Sequence, residues 1–230
     1  MKKKSYQVLI DTDPGLGRKG KDVDDGLALF FILNNPEIFS VEGITTVYGN
    51  TKVNIGFKLL EKYLELTDKS NIPHFKGLSS SDYLGELNPA SEFMINQVKK
   101  YPKQLTLIAL GPLTNVATAL EHYPDFLNNL KQVIFMGGVI ESTKNKFSPQ
   151  FIFEEAIFDT TEFNFYQDPQ ATKSVIETKT ATSRIGIGLD ICTQVIFTRD
   201  HLKKLKKVKT QLIEYIIPYL ESWLKIWEFN

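Results

Sequence analysis

Short apolar runs and helix-spaced apolar stripes alternate along the chain. Runs of strand length fall at residues 7–11, 40–47, 105–110, 132–136 and 184–189. Between most of them, at 25–33, 53–66, 90–100, 115–122 and 169–178, apolar residues recur every three or four positions, as one face of a helix requires. This alternation predicts an α/β fold: an open, mostly parallel, Rossmann-like sheet with helices on both faces. A last stripe, Ile213, Ile216, Ile217, Leu220, Trp223, Leu224 and Trp227, predicts a helix over 211–227 that Pro218 is expected to kink.

In such a sheet, ligands bind beyond the carboxyl ends of the strands, and the polar residues of interest gather there. The apolar run Val8-Leu9-Ile10 leads into Asp11-Thr12-Asp13-Pro14-Gly15, an insert over 16–21, and then Asp22-Val23-Asp24-Asp25-Gly26. Five Asp residues therefore crowd one strand-to-helix crossing. Like charges this close raise one another's pKa unless a cation or a web of donors compensates. A hard divalent ion with oxygen ligands is the simplest compensation, and Ca²⁺ or Mg²⁺ suits a loop with no nearby Cys or His. The same residues admit a plainer reading, in which Asp24 or Asp25 caps a helix starting near Gly26 and residues 11–15 form a turn.

The other strand ends carry Tyr48-Gly49-Asn50, Gly111-Pro112-Leu113-Thr114-Asn115 and Gly137-Gly138. Taken singly, these are turns, with Thr114 or Asn115 as a cap and the glycines allowing positive φ, while Asp168-Pro169 reads as a cap followed by proline at the first helical position. Their joint placement along one sheet edge marks that edge as a site.

Composition narrows the partners. The 230 residues are 42% apolar and 23% charged, the make-up of a single globular domain with an ample core. Lys+Arg and Asp+Glu balance at 27 each, so net charge calls for neither nucleic acid nor an anionic membrane, and small-molecule and protein partners stay open. The lone Cys192 excludes an internal disulfide and favours a reducing, cytoplasmic setting. Lys2 to Lys4 precede too short an apolar run for a signal peptide, and no segment reaches membrane-spanning length.

With these residues assembled, the chain resembles the inosine-uridine preferring nucleoside hydrolases, which cleave the N-glycosidic bond of ribonucleosides. The matching pieces, in order, are Asp11-Thr12-Asp13-Pro14-Gly15 with Asp24-Asp25; Gly43-Ile44-Thr45-Thr46-Val47-Tyr48-Gly49-Asn50; Gly111-Pro112-Leu113-Thr114-Asn115; Met136-Gly137-Gly138; Glu162-Phe163-Asn164; and Asp168-Pro169. The resemblance implies a Ca²⁺ ion at the pocket floor, with Asp13 both binding it and taking a proton from the attacking water. It also implies Asp25 as a second ligand, the Leu110 backbone carbonyl as a third, and ribose contacts from Asp24, Asn50, Met136, Glu162 and Asn164. A homo-oligomer, dimer or tetramer, is the family habit.

Three departures qualify the resemblance. Family members continue into a His-Asp-Pro-Leu-like motif that supplies a metal-ligating Asp and a His near the leaving base, and no equivalent precedes Asn230. The expectations are therefore a C-terminally short member with impaired turnover, or a stripe over 211–227 that packs on another subunit; a catalytically inactive nucleoside- or ribose-binding homologue is the alternative function. His74, His122 and His201 all read as surface or helix-end residues. The insert over 16–21 carries Arg18, Lys19 and Lys21 between two glycines, either a plain surface loop or a mobile cationic flap over the acidic site. Finally, Ala156 stands where the family places an Asn on the sugar's 5′ side, with Asp159 as a substitute. A third reading takes Asp11 and Asp13 as nucleophile and acid of a haloacid-dehalogenase-type phosphatase, a scheme that Pro14-Gly15 fits poorly.

Overall fold

Burial on both faces makes Tyr6–Thr12 (β1) the axis of the molecule: Val8, Leu9 and Ile10 are 1%, 0% and 0% exposed. Such a continuous apolar run is what a central parallel strand requires. The computed structural model describes residues 5–139 and 162–228. Around β1, Phe39–Thr46 (β2), His74–Lys76 (β3), Thr106–Ala109 (β4), Gln132–Met136 (β5) and Ser183–Ile187 (β6) complete a six-stranded sheet in the order β3-β2-β1-β4-β5-β6. Every pairing is parallel.

The winding runs outward from β1 to β3, then returns to the other side of β1 and runs out to β6. The direction reverses between β1 and β4, the place beyond the carboxyl ends where ligands bind in open α/β sheets. Alternation along β1 assigns the layers. Leu9 joins a core with Met94, Leu107, Val116 and Val175, contributed on the helical side by Pro89–Lys100 (α3), Thr114–His122 (α4) and Pro169–Glu177 (α6). Val8 and Ile10 join the opposite core with Leu29, Leu60, Leu202 and Leu220, from Asp24–Leu33 (α1), Val53–Leu66 (α2), Arg199–Leu205 (α8) and Gln211–Glu228 (α9). Phe163–Gln167 (α5) and Leu189–Cys192 (α7) are short helices at the carboxyl edge.

Caps decide where several helices begin. Asn88 accepts N–H bonds from Ala90 and Ser91 ahead of α3, with Pro89 in the first turn. Asp168 accepts from Ala171 ahead of Pro169 in α6, as the sequence suggests. Among the strands, β3 is the one the pattern does not reveal, since three residues at a sheet edge are too few to show alternation.

The final helix corrects an expectation. Its stripe does not await another subunit: Ile216, Leu220 and Leu224 are 3%, 0% and 6% exposed and pack into the same core as α1 and α2. Trp227 lies outside the described side chains. The helix runs through Pro218 as one element. Among the described residues, no helix is long and apolar enough to cross a membrane.

Because Leu220 fills this core, Leu220→Ala is expected to cost about 2–5 kcal/mol of stability. Urea denaturation at several protein concentrations checks it: a loss independent of concentration places the stripe in the protomer, whereas a stripe serving a subunit contact gives a concentration-dependent loss.

Candidate active site

Where β1 ends, the chain turns inward and buries its carboxylates. Asp11 and Asp13 are 1% and 2% exposed, and Asp25, from the first turn of α1, is 8% exposed. The Asp13 Oδ2 accepts the Asn50 N–H at 2.6 Å. Two glycines bring backbone against this side chain. A Cβ on Gly49, whose φ is +150°, would stand 2.1 Å from Asp13 Oδ2, and one on Gly111 would stand 2.6 Å from Oδ1. Asp13 thus faces the β2 loop with one oxygen and Gly111 after β4 with the other, across the sheet's point of reversal.

Asp25 turns back toward β1 instead of capping its own helix. Its Oδ1 accepts the Thr12 hydroxyl and, at 3.3 Å, the Asp13 N–H. The residue at the cap position of α1 is Val23, which offers no side-chain bond, and exposed Asp24 accepts the adjacent Asp25 N–H at 2.9 Å. The capping alternative for Asp25 is therefore not the one the fold uses.

Asp11 is held deeper, by the Thr45 hydroxyl at 2.7 Å and the Asn115 amide at 3.0 Å, both on Oδ1. Its Oδ2 has no hydrogen-bond partner among the described residues. A carboxylate enclosed like this cannot serve as the nucleophile of a phosphatase. Asn115, expected as a cap, instead ties Asp11 to the Thr46 carbonyl at 3.1 Å, and Thr114 donates to Asp168 at 2.7 Å. The helix α4 starts after Leu113 with no side-chain cap.

Burial dominates the electrostatics. It lifts Asp11 from the ordinary 3.8 to about 7, against the hydrogen bonds of Thr45 and Asn115, with a further push from Asp25. Asp25 rises to about 6, again chiefly by burial, with the Thr12 hydroxyl opposing. Asp13 is raised well above its ordinary value by burial and then by the charge of Asp25, the Asn50 amide counteracting. The charges among the leading causes are other carboxylates; Arg18, Lys19 and Lys21 are not among them.

The insert is accordingly no flap over the pocket. Leu16 is fully buried and its carbonyl accepts the Tyr63 hydroxyl, while Arg18 N–H to Gly15 and Lys21 N–H to Arg18, at 3.0 and 3.3 Å, close a tight turn. The three cations project to solvent.

The far wall comes from β5 and α5. Asn164 donates through Nδ2 to the Leu110 carbonyl at 2.7 Å, the Met136 carbonyl at 3.1 Å and the Met136 Sδ at 3.2 Å, strapping the ends of β4 and β5 together. Glu162, 3% exposed, caps α5, its carboxylate accepting N–H bonds from Asn164, Phe165 and Gly138 at 2.7, 2.9 and 3.0 Å. Three of roughly four acceptor positions on a carboxylate are then filled. Ala156 and Asp159 lie outside the described residues. The histidines stand elsewhere: His74 and His122 meet the Ile72 and Gly85 carbonyls, each at 2.8 Å, and His201 closes a capping box with Thr198.

Thr12, Thr45 and Asn115 are the site residues that motif reading misses, because they bond to carboxylates and carry no chemistry of their own. The 3.0 Å hydrogen bond between Asp22 and Trp223 is missed because 201 residues separate them.

As a metal donor set, Asp13, Asp25 and the Leu110 carbonyl are oxygen only, which suits a hard cation such as Ca²⁺. Among the described residues no cluster of three His, Cys, Asp or Glu side chains is poised to hold an ion. The carbonyl retains a second lone pair beside its bond from Asn164. Buried carboxylates that repel one another, with no protein cation among their leading influences, fit the group.

Known proteins resemble this chain in sequence and in fold. A probable uridine nucleosidase of Arabidopsis thaliana is 29% identical over 94% of this chain and 69% of its own length. A plant nucleoside hydrolase of known structure superposes with a TM-score of 0.77 at 26% identity, over 98% of this chain and 74% of that one. An inosine-guanosine nucleoside hydrolase gives 0.75 at 26%, over 95% and 73%. The chain spans about two thirds of the length of the curated relatives it matches. The family pattern described as inosine-uridine preferring nucleoside hydrolase covers residues 8–229. That match covers nearly the whole sequence, and the chain belongs to the inosine-uridine preferring nucleoside hydrolase family.

Proposed function

We propose that this pocket hydrolyses the N-glycosidic bond of ribonucleosides, giving ribose and a free base. The observation that carries the reading is the buried carboxylate group at the β1–β4 reversal, raised in pKa by burial and by its own members. Family membership supplies the substrate class. Relatives named for uridine and for inosine and guanosine leave the base open.

Asp13, Asp25 and the Leu110 carbonyl would hold Ca²⁺. Bound there, the ion supplies positive charge that keeps the carboxylates ionised and acidifies neighbouring water. Asp13, oriented by the Asn50 N–H, takes the proton as the water oxygen bonds to the anomeric carbon. The bond from that carbon to the base nitrogen breaks, and the base leaves with the bonding electron pair. The ribosyl group passes through a cationic, oxocarbenium-like state that carboxylates stabilise, and Asp24 and Glu162 are the candidates beside it. Asn50, Met136 and Asn164 complete the ribose wall.

The lone, free Cys192 supports a cytoplasmic setting. Family membership supports a small-molecule nucleoside as partner, and the balanced charge gives no electrostatic pull toward nucleic acid or an anionic membrane. Val195 and Ile196, 82% and 64% exposed, support a homo-oligomer.

Chelator-stripped protein given Ca²⁺ and uridine or inosine is expected to release base, followed by chromatography, and Asp13→Asn to slow release by about 10²- to 10⁴-fold. Ribose binding without base release favours the binding homologue instead. A pH prediction follows from Asp11 near 7 and Asp25 near 6. Both are raised on folding, so the folded state holds protons more tightly than the unfolded chain. Their contribution is complete below about pH 4 and is lost as pH climbs through 6 to 7. Calcium takes the protons' place, so it is expected to raise the melting temperature more at pH 8 than at pH 5; equal shifts would contradict this.

A further inference from the structure

The helix α9 reaches the acidic elbow through a continuous set of hydrogen bonds. Trp223 Nε1–H donates to Asp22 Oδ1 at 3.0 Å, and the same oxygen accepts the Val23 N–H at 2.9 Å. The Asp22 N–H donates to Asn50 Oδ1 at 3.2 Å, and the Asn50 N–H donates to Asp13 Oδ2 at 2.6 Å. The indole is itself held, edge to face against Phe197 with centroids 6.5 Å apart. Below it, Ile216, Leu220 and Leu224 fix the helix in the core.

This geometry has a consequence for Asp13. A carboxylate acting as base needs one orientation, and the Asn50 N–H is the short bond that sets it. The position of Asn50 depends on Asp22, and that of Asp22 on an indole N–H from the far end of the chain. The insert over 16–21 brings Asp22 within reach of α9, braced by the Tyr63 hydroxyl on Leu16 and by Gly17 against Tyr215.

We propose that Trp223 and Asp22 are positioning residues for Asp13, through which the last helix aims the candidate base. The proposal rests on the reading of Asp13 given above.

Amide hydrogen exchange at Asn50 in calcium-free protein tests it without any turnover. Trp223→Phe keeps the aromatic packing and removes the N–H; Asp22→Ala removes the acceptor; Asp22→Asn keeps an oxygen in place. Leu224→Ala, which loosens the same helix without touching these bonds, is the control. Exchange at Asn50 is expected to quicken about tenfold in Trp223→Phe and Asp22→Ala, and to stay near wild type in Asp22→Asn and Leu224→Ala. With calcium and nucleoside present, Trp223→Phe lowers kcat about tenfold while KM stays within about twofold. Unchanged exchange in Trp223→Phe, equal quickening in Leu224→Ala, or quickened exchange with undiminished kcat overturns the proposal. Wild-type protein that releases no base while Asn50 responds as expected removes the hydrolase reading and leaves the hydrogen-bonded chain standing.

Discussion

Carboxylates packed where a parallel sheet reverses its winding repel one another, and much of the surrounding structure serves to tolerate that repulsion. Asp11, Asp13 and Asp25 are all nearly out of solvent, and burial is the largest influence on each. A charge in such a place needs donors or a cation. The donors are there: Thr45 and Asn115 for Asp11, the Asn50 amide for Asp13, Thr12 for Asp25. The insert's cations, which stand nearest in sequence, face solvent instead. What the protein leaves uncompensated is the charge that the proposed divalent ion would meet.

The scaffold explains how such a cluster persists. Two apolar layers, one fed by Leu9 and the other by Val8 and Ile10, clamp β1 between helices, so the carboxylates at its end are fixed by a strand that cannot shift. Neighbouring strands then deliver their partners. The β2 end brings Asn50 on a positive-φ glycine, the β4 end brings the Leu110 carbonyl, and Asn164 ties that carbonyl to the end of β5. Backbone groups do much of the binding, which is why glycines stand where the chain passes closest to Asp13.

Much of this was legible in the sequence. The five longer strands and the main helices follow from spacing alone, and so does the edge that carries the site, because parallel strands present their carboxyl ends together. Pairings distant in sequence were not legible. Asn115 reads locally as a cap, yet spans to Asp11 across 104 residues. The stripe of α9 looks unpartnered until Leu220 is seen in the same core as Leu60. Glu162 shows the limit of motif reading differently: its carboxylate caps α5, a role that the Glu162-Phe163-Asn164 motif does not announce.

The most direct test is diffraction from crystals soaked in calcium at neutral pH. An ion bridging Asp13, Asp25 and the Leu110 carbonyl at about 2.3–2.6 Å is the expected result. An empty crevice, with Asp13 still on the Asn50 amide and Asp25 still on the Thr12 hydroxyl, contradicts the claim that these carboxylates are buried together in order to hold a cation.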